Sequence, residues 1–254
     1  MCVEENIASA GVDLKCVAYS SMPAGEAPAQ GMRMEQGMRM EQGIRMEQDR
    51  NTAVVYIYRL YSANGFRMAI LPIYTYDARV LREKTRAVER PDEAIALALD
   101  MFETMRNAHG VGLAANQVGR GLSLFTIDLT EVEDYEETKP LLFINPDITD
   151  FDGDDVAYEE GCLSIPSLRE DVVRPERLRI TYRDANFDEQ VLEADGFLAR
   201  VIQHEFDHLE GIFFTDRLRG LRKRLVVPAL QKIKRGETPA DYPLAELKKM
   251  DIVA

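Results

Sequence analysis

Apolar residues at Ile95, Leu99, Phe102 and Met105 recur at three- and four-residue steps, the spacing of one buried helix face. An acidic start after proline, Pro91-Asp92-Glu93, opens this pattern and Gly110 stops it, so a helix is predicted that delivers the chain to Gly110-Val111-Gly112. Apolar runs predict strands over Leu122–Leu129 and Leu141–Ile144, parted by an acidic loop at 131–137. Two more are predicted over Leu178–Tyr182 and Gln190–Glu193, joined by a polar turn through Asp184-Ala185-Asn186. A second helical pattern spans Gly196 to Leu209, and a third runs from Leu218 to Arg235 with a break or bend near Pro228. Strand-like patterning begins at Met68-Ala69-Ile70-Leu71-Pro72-Ile73-Tyr74. Strands and helices segregate more than they alternate, so the expected class is α+β, with mostly antiparallel strands packed around the second helix.

The chain before Met68 reads differently. A hexapeptide of the form Gly31-Met32-Arg33-Met34-Glu35-Gln36 occurs there in three successive copies, ending at Gln48. With a glycine every sixth residue, no aromatic residue and mixed charge, it can bury little surface against the entropy of ordering it. Residues 1–67 are therefore expected to be a disordered extension, and Met68 reads as the biological start; a genuine flexible tail is the competing reading. Residues 68–254 form the expected folded domain, long enough for a single core.

Composition narrows the function classes. No run approaches the roughly 20 apolar residues of a membrane helix, and the acidic start Met1-Cys2-Val3-Glu4-Glu5 lacks the positive charge of a secretory peptide. The three cysteines, Cys2, Cys16 and Cys162, exclude a disulfide framework, and the cytoplasm is the expected location. A formal net charge of −13, from 31 basic and 44 acidic residues, argues against DNA and other broad phosphate-backbone partners.

The chemistry concentrates in three segments. His204-Glu205-Phe206-Asp207-His208 is an H-E-x-x-H pattern: histidines at i and i+4 project from one helix face and can reach one ion, with Glu205 beside them as a general base. The alternative is a pair of satisfied polar histidines with Glu205 and Asp207 solvated. A catalytic site of this type needs a third ligand. The extended protease pattern fails, because Phe214 stands where its last histidine belongs. Cys162, within Glu159-Glu160-Gly161-Cys162-Leu163-Ser164-Ile165-Pro166, is the remaining soft donor, with a buried structural cysteine as the alternative; Pro166 is expected to limit this segment as a central strand. His109, before a glycine at a helix end, is expected to serve terminal carbonyls. In Gly110-Val111-Gly112-Leu113-Ala114-Ala115-Asn116-Gln117 the glycines, Gly112 among them, permit close backbone approach to a ligand, and Gln117 can donate to a developing oxyanion.

Together, Gly110 to Gln117, Glu160-Gly161-Cys162-Leu163-Ser164 and Gln203-His204-Glu205-Phe206-Asp207-His208 resemble, in order and spacing, the signature motifs of peptide deformylases. The resemblance extends from about Met68 to Arg235. It implies a hydrolase that removes the formyl group from the N-terminal formyl-methionine of nascent polypeptides and releases formate. It also implies Cys162, His204 and His208 as metal ligands, Glu205 as acid–base, and the Gln117 amide with the Leu163 backbone N–H as oxyanion donors. The implied metal is iron(II), with zinc, nickel or cobalt as substitutes; a Cys-His-His set suits several borderline ions. Val111 is implied as one wall of the methionine slot.

Phe197 and Val201 share the helix face of His204 and His208, so they form another wall of that slot or simply pack in the core. The basic stretch 217–235 suggests docking on the ribosome, as in some deformylases, or a solvated helix face. Two rival functions remain at this level: a zinc peptidase with a carboxylate in place of Cys162, and a catalytically silent metal-bound module.

Overall fold

The computed structural model describes Met68–Glu246. The hexapeptide repeat and the expected disordered extension lie outside these residues. One antiparallel sheet of five strands runs in chain order: β1 (Gly112–Ala114), β2 (Leu124–Ile127), β3 (Leu141–Cys162), β4 (Ile165–Arg183) and β5 (Glu189–Asp195). Helix α1 (Pro91–Asn107) packs on β1 and β2, and α2 (Gly196–Leu209) follows β5 directly. Three short helices close the described chain: α3 (Phe214–Arg217), α4 (Gly220–Leu225) and α5 (Val227–Lys234).

Helix α1 begins as its sequence dictates, with Pro91 in the first turn and Asp92 and Glu93 facing the positive end of the helix dipole. Its buried stripe runs through Ala94, Ala98, Met101 and Met105, with Leu99 and Phe102 beside it, so Ile95 is only half-buried. The expected stop at Gly110 is displaced by one residue. His109 takes the left-handed conformation (φ 52°), its N–H bonds the Arg106 carbonyl, and the Gly110 N–H reaches back to the Met105 carbonyl at 2.9 Å. These two bonds make a Schellman closure, so His109 serves the helix end through its backbone.

The strands depart furthest from expectation. The predicted strands at 141–144 and 178–182 are the outer ends of a long hairpin, β3–β4, in which β3 is exposed on both faces over 149–155 and therefore shows no hydrophobic alternation there. Backbone pairing and cross-strand charge hold it instead: Asp150 lies opposite Arg179 and Asp152 opposite Arg177, the latter pair bonded at 2.9 Å. Pro166 lies inside β4, correcting the expected limit. Cys162 pairs with Ile165 and Gly161 with Arg169, leaving Pro166, Ser167 and Leu168 in a bulge where a missing N–H does no harm. The 68–74 segment forms no strand, only an isolated bridge from Ile73 to Leu244. The third helix is broken at Val226, and Pro228 sits in the first turn of α5, where proline is tolerated.

Three apolar clusters fill the interior. The first lies between α1 and the neighbouring strands, through Met101, Phe102, Leu113 and Leu124. A second packs α2 on the sheet through Phe125, Phe143, Ile180 and Ile202. The third joins Ile165 and Val172 to Phe213, Phe214, Leu230 and Ile233. Helix α2 is thus covered on all sides, and every polar group on it has to find a partner or a ligand inside the protein.

Candidate metal centre

The last two turns of α2 carry His204 and His208 on one face, and the β3–β4 turn brings Cys162 against them. The ligand atoms of these three residues all lie within 4.8 Å of one another. The Cys162 Sγ is 3.1 Å from His208 Nε2, while His204 Nδ1 is 2.9 Å from the Glu160 carboxylate, which leaves the His204 Nε2 for an ion. One soft sulfur and two imidazole nitrogens at this separation fit a borderline divalent cation.

A buried ion cluster holds the histidines in place. The Arg174 guanidinium donates to both Glu160 oxygens (2.7 and 2.9 Å) and to Asp207 at 2.6 Å, and Arg200 donates to Glu160 at 3.0 Å. Arg217 closes the other side of Asp207 with two bonds. Charges at this depth persist only when paired, and here each acid meets two arginines. Asp207 is therefore not solvated, and neither is Glu205; both are buried. Burial works against ionisation of Glu160, yet His204 and Arg174 hold its carboxyl well below the usual range. The same geometry fixes the His204 tautomer, as carboxylates behind metal-binding histidines do.

The two rings differ electrostatically. Burial opposes a charge on His204, but its contacts to Cys162 and Glu160 outweigh that and raise its affinity for a proton. His208 is pushed down by burial and by the positive charge of His204 and Arg174, which favours the neutral, ligating imidazole. Glu205 is pushed up to about 7, chiefly by burial and with Glu160 adding to it, against the pull of His204. Its Oε2 has no hydrogen-bond partner among the described residues, a buried acceptor open to a ligand.

Gly112 explains itself at this point. A Cβ on it would lie 2.8 Å from the Glu205 carboxyl carbon, so the carboxylate occupies the space that any side chain here would need. Gln117 accepts the Ala114 N–H at 2.8 Å through its oxygen, which turns its NH₂ toward Cys162 Sγ (3.5 Å) and Ser164 Oγ (3.2 Å). A cavity of about 580 Å³ opens beside these groups. Val111, Gly112, Leu163, Phe197, Val201 and Glu205 all line it. Phe197 and Val201 also pack in the sheet-facing cluster, so wall and core are the same residues. His208 does not line the cavity; it lies behind Cys162 and His204.

Sequence reasoning missed Arg174 and Arg200, which lie in no motif, and read Arg217 only as the start of the basic stretch; the three are brought to the site by the hairpin and the helix end. Glu160 was in view, inside the cysteine motif, and its place two residues before a ligand was the signal. Ser164 was in view in the same motif, whereas Tyr242, also near the site, carried no signal.

Known proteins share this sequence and fold. Residues 70–224 match the family model for polypeptide deformylase. The chain is 51% identical over 183 residues to the peptide deformylase of Salinibacter ruber, covering 69% of this chain and 94% of that protein. For the peptide deformylase of Cytophaga hutchinsonii the figures are 49% over 176 residues, 68% and 95%. Among solved structures, the peptide deformylase from Thermus thermophilus aligns with a TM-score of 0.60 at 40% identity, over 66% of this chain and all 100% of that one. The peptide deformylase from Synechococcus elongatus in complex with actinonin aligns with a TM-score of 0.57 at 40% identity, over 69% and 91%. With a matched region that contains all three segments meeting at the cavity, the chain belongs to the polypeptide deformylase family.

Proposed function

We propose that this chain hydrolyses the formyl group from the N-terminal formyl-methionine of nascent polypeptides, releasing formate and a free amine. The observation that carries this reading is the meeting of Cys162, His204 and His208 beside a buried carboxylate at the cavity wall, Glu205, one oxygen of which has no partner among the described residues. Cys162, His204 and His208 would hold the metal, for which iron(II) is our assignment, with zinc, nickel or cobalt as substitutes. Such an ion supplies Lewis acidity and makes water acidic near neutral pH.

The chain's own residues then divide the work. Glu205 takes a proton from the attacking water, whose oxygen bonds to the formyl carbon. The oxyanion that develops on the substrate receives the Gln117 NH₂ and the Leu163 backbone N–H, two donors that lie on the cysteine side of the cavity. As the C–N bond breaks, Glu205 passes its proton to the departing amine nitrogen, so the proton balance closes on one carboxyl group. Gly112 leaves room for the Glu205 carboxyl group. Val111, Phe197 and Val201 form the apolar slot for the methionine side chain. The reading includes a cytoplasmic setting, and docking on the ribosome through the exposed Arg219, Lys223 and Arg224 within 217–235.

The test is formate release from an N-formyl-methionyl peptide by anaerobically purified, iron-loaded protein. We expect turnover by the wild type, and a loss of about 10²–10⁴-fold in Glu205→Ala with metal content unchanged. Wild-type protein that is silent with all four metals, or full activity in Glu205→Ala, would refute the proposal. Activity surviving in Cys162→Ala would instead favour a peptidase with another third ligand.

A further inference from the structure

The two ends of the described chain meet behind the β3–β4 turn. Ile73, fully buried, gives its N–H to the Pro243 carbonyl and takes the Ala245 N–H, both at 2.9 Å. From this junction the same segment runs on into the site. The Tyr74 N–H bonds the Gln117 carbonyl at 2.8 Å, and the Tyr76 N–H bonds the Ser164 carbonyl at 2.9 Å. The C-terminal arm of the junction adds a side chain: the Tyr242 hydroxyl donates to the Leu163 carbonyl at 2.8 Å, and its ring lines the cavity. Tyr242, Leu244 and Leu163 pack against one apolar cluster, so the bond is held from both sides.

Leu163 and Ser164 are the two residues of the turn, between Cys162 and Ile165, which pair with each other. The Leu163 carbonyl lies in the peptide plane shared with Ser164 and the Leu163 N–H in the plane before it; the two planes join at the Leu163 Cα, so anchoring the carbonyl limits how far that Cα, and the N–H beside it, can shift. Tyr76 restrains the Ser164 carbonyl, and Tyr242 is the group bonded to the Leu163 carbonyl. Tyr242 lies beyond residue 224, where the family match ends, so nothing in that match gives it a role.

We propose that Tyr242 is a positioning residue for the hydrolysis: by anchoring Leu163 through its carbonyl it limits how far the Leu163 N–H can shift from the oxyanion. The proposal rests on the deformylase reading of the cavity. It makes the C-terminal arm part of the active site, although no group on that arm takes part in the bond changes. A donor aimed at the oxyanion acts mainly in the transition state, so loosening it lowers kcat and leaves KM alone.

The experiment compares full-length, nickel-loaded wild type, Tyr242→Phe and Leu244→Ala on an N-formyl-methionyl peptide, with metal content, thermal midpoint and amide exchange measured alongside. Phenylalanine keeps the ring packing and removes only the hydroxyl. The expected result is a roughly tenfold fall in kcat, a fraction of the 10²–10³ seen when an oxyanion donor is deleted outright. KM should stay within about twofold, metal content should be unchanged, and amide exchange should quicken at Leu163 and Ser164 but not at Leu113. Leu244→Ala, which loosens the arm while leaving the Tyr242 hydroxyl in place, should show the same pattern more weakly. Wild-type kcat in both variants overturns the proposal. So does a rise in KM alone, which would make Tyr242 a wall for the peptide, or a loss of turnover that only tracks lost metal. Turnover by the wild type separates these results from a failure of the deformylase reading, in which no variant or parent releases formate.

Discussion

Single atoms decide much at this site. Gly112 is the sharpest case, because the Glu205 carboxyl group fills the place of the missing Cβ. Gly112→Ala is expected to fold, with Glu205 displaced, and to lose on the order of 10²-fold or more in kcat, the scale of a misplaced acid–base. Steady-state kinetics on protein with one metal per chain will check this; unchanged kcat would mean that Glu205 has slack the structure does not show. The two histidines follow the same logic. Their positions on α2 are set by helical spacing, but the nitrogen each one offers is set by neighbours, Glu160 behind His204 and Cys162 before His208.

At the scale of elements, charge replaces apolar packing wherever the sheet leaves the core. Arg174, on β4, ties β3 to α2 through Glu160 and Asp207. Arg174→Met takes one of two arginines from each of two buried acids and should destabilise the protein by about 3 kcal/mol, the low end for a broken buried pair, measured by urea unfolding. It should also weaken metal binding by about 10–100-fold, because Glu160 would lose the partner that fixes it behind His204. Helix α1 is fastened in a similar way: Arg106 donates to Asp128 at 2.6 and 2.9 Å, and Thr130 bonds the other carboxyl oxygen. Burial alone would raise the Asp128 pKa, but Thr130 and Arg106 together lower it from 3.8. A depressed acid contributes stability above its unfolded value and loses it as pH falls through the folded one. Asp128→Asn should therefore cost about 1 kcal/mol at pH 7, moderated by the partial exposure of Arg106, and the deficit should shrink below pH 3.8. Equal acid-unfolding curves for the two proteins would contradict the argument.

For the whole molecule, the basic C-terminal stretch has two natures. Leu230 and Ile233 are buried against Ile165 and Phe213, so cutting the chain after Arg217 would remove part of the core and could not test docking cleanly. Arg217 is committed to Asp207, and Arg222 bonds Asp171 at 3.0 Å. Lys223 and Arg224, exposed on α4 between the exposed Leu221 and Leu225, are the residues to change. If this face docks on the ribosome, Lys223→Glu with Arg224→Glu should lower co-sedimentation at least several-fold, steeply with salt, while formate release from free peptide stays unchanged. Equal affinity would reject docking. No helix among the described residues is long and apolar enough to cross a membrane.

Whatever depends on neighbours along the chain was legible in the sequence. The bounds of α2, the shared face of His204 and His208, the acidic start of α1 and the closeness of Cys162 to Leu163 and Ser164 are local consequences of helical period and covalent order. The long hairpin was not legible, because its exposed acidic strand lacks the alternation that burial imposes, and its stability comes from pairing with residues some 20 positions away. The left-handed His109 was hidden by the glycine after it, which looked the easier residue to bend. Most of all, the meeting of a sulfur on a sheet turn with two imidazoles on a helix, the arginines that neutralise the acids behind them, and the arm that carries Tyr242 to Leu163 are contacts between distant segments. Only packing decides such contacts: the free energy that brings them together belongs to the whole core, and no residue involved carries it alone.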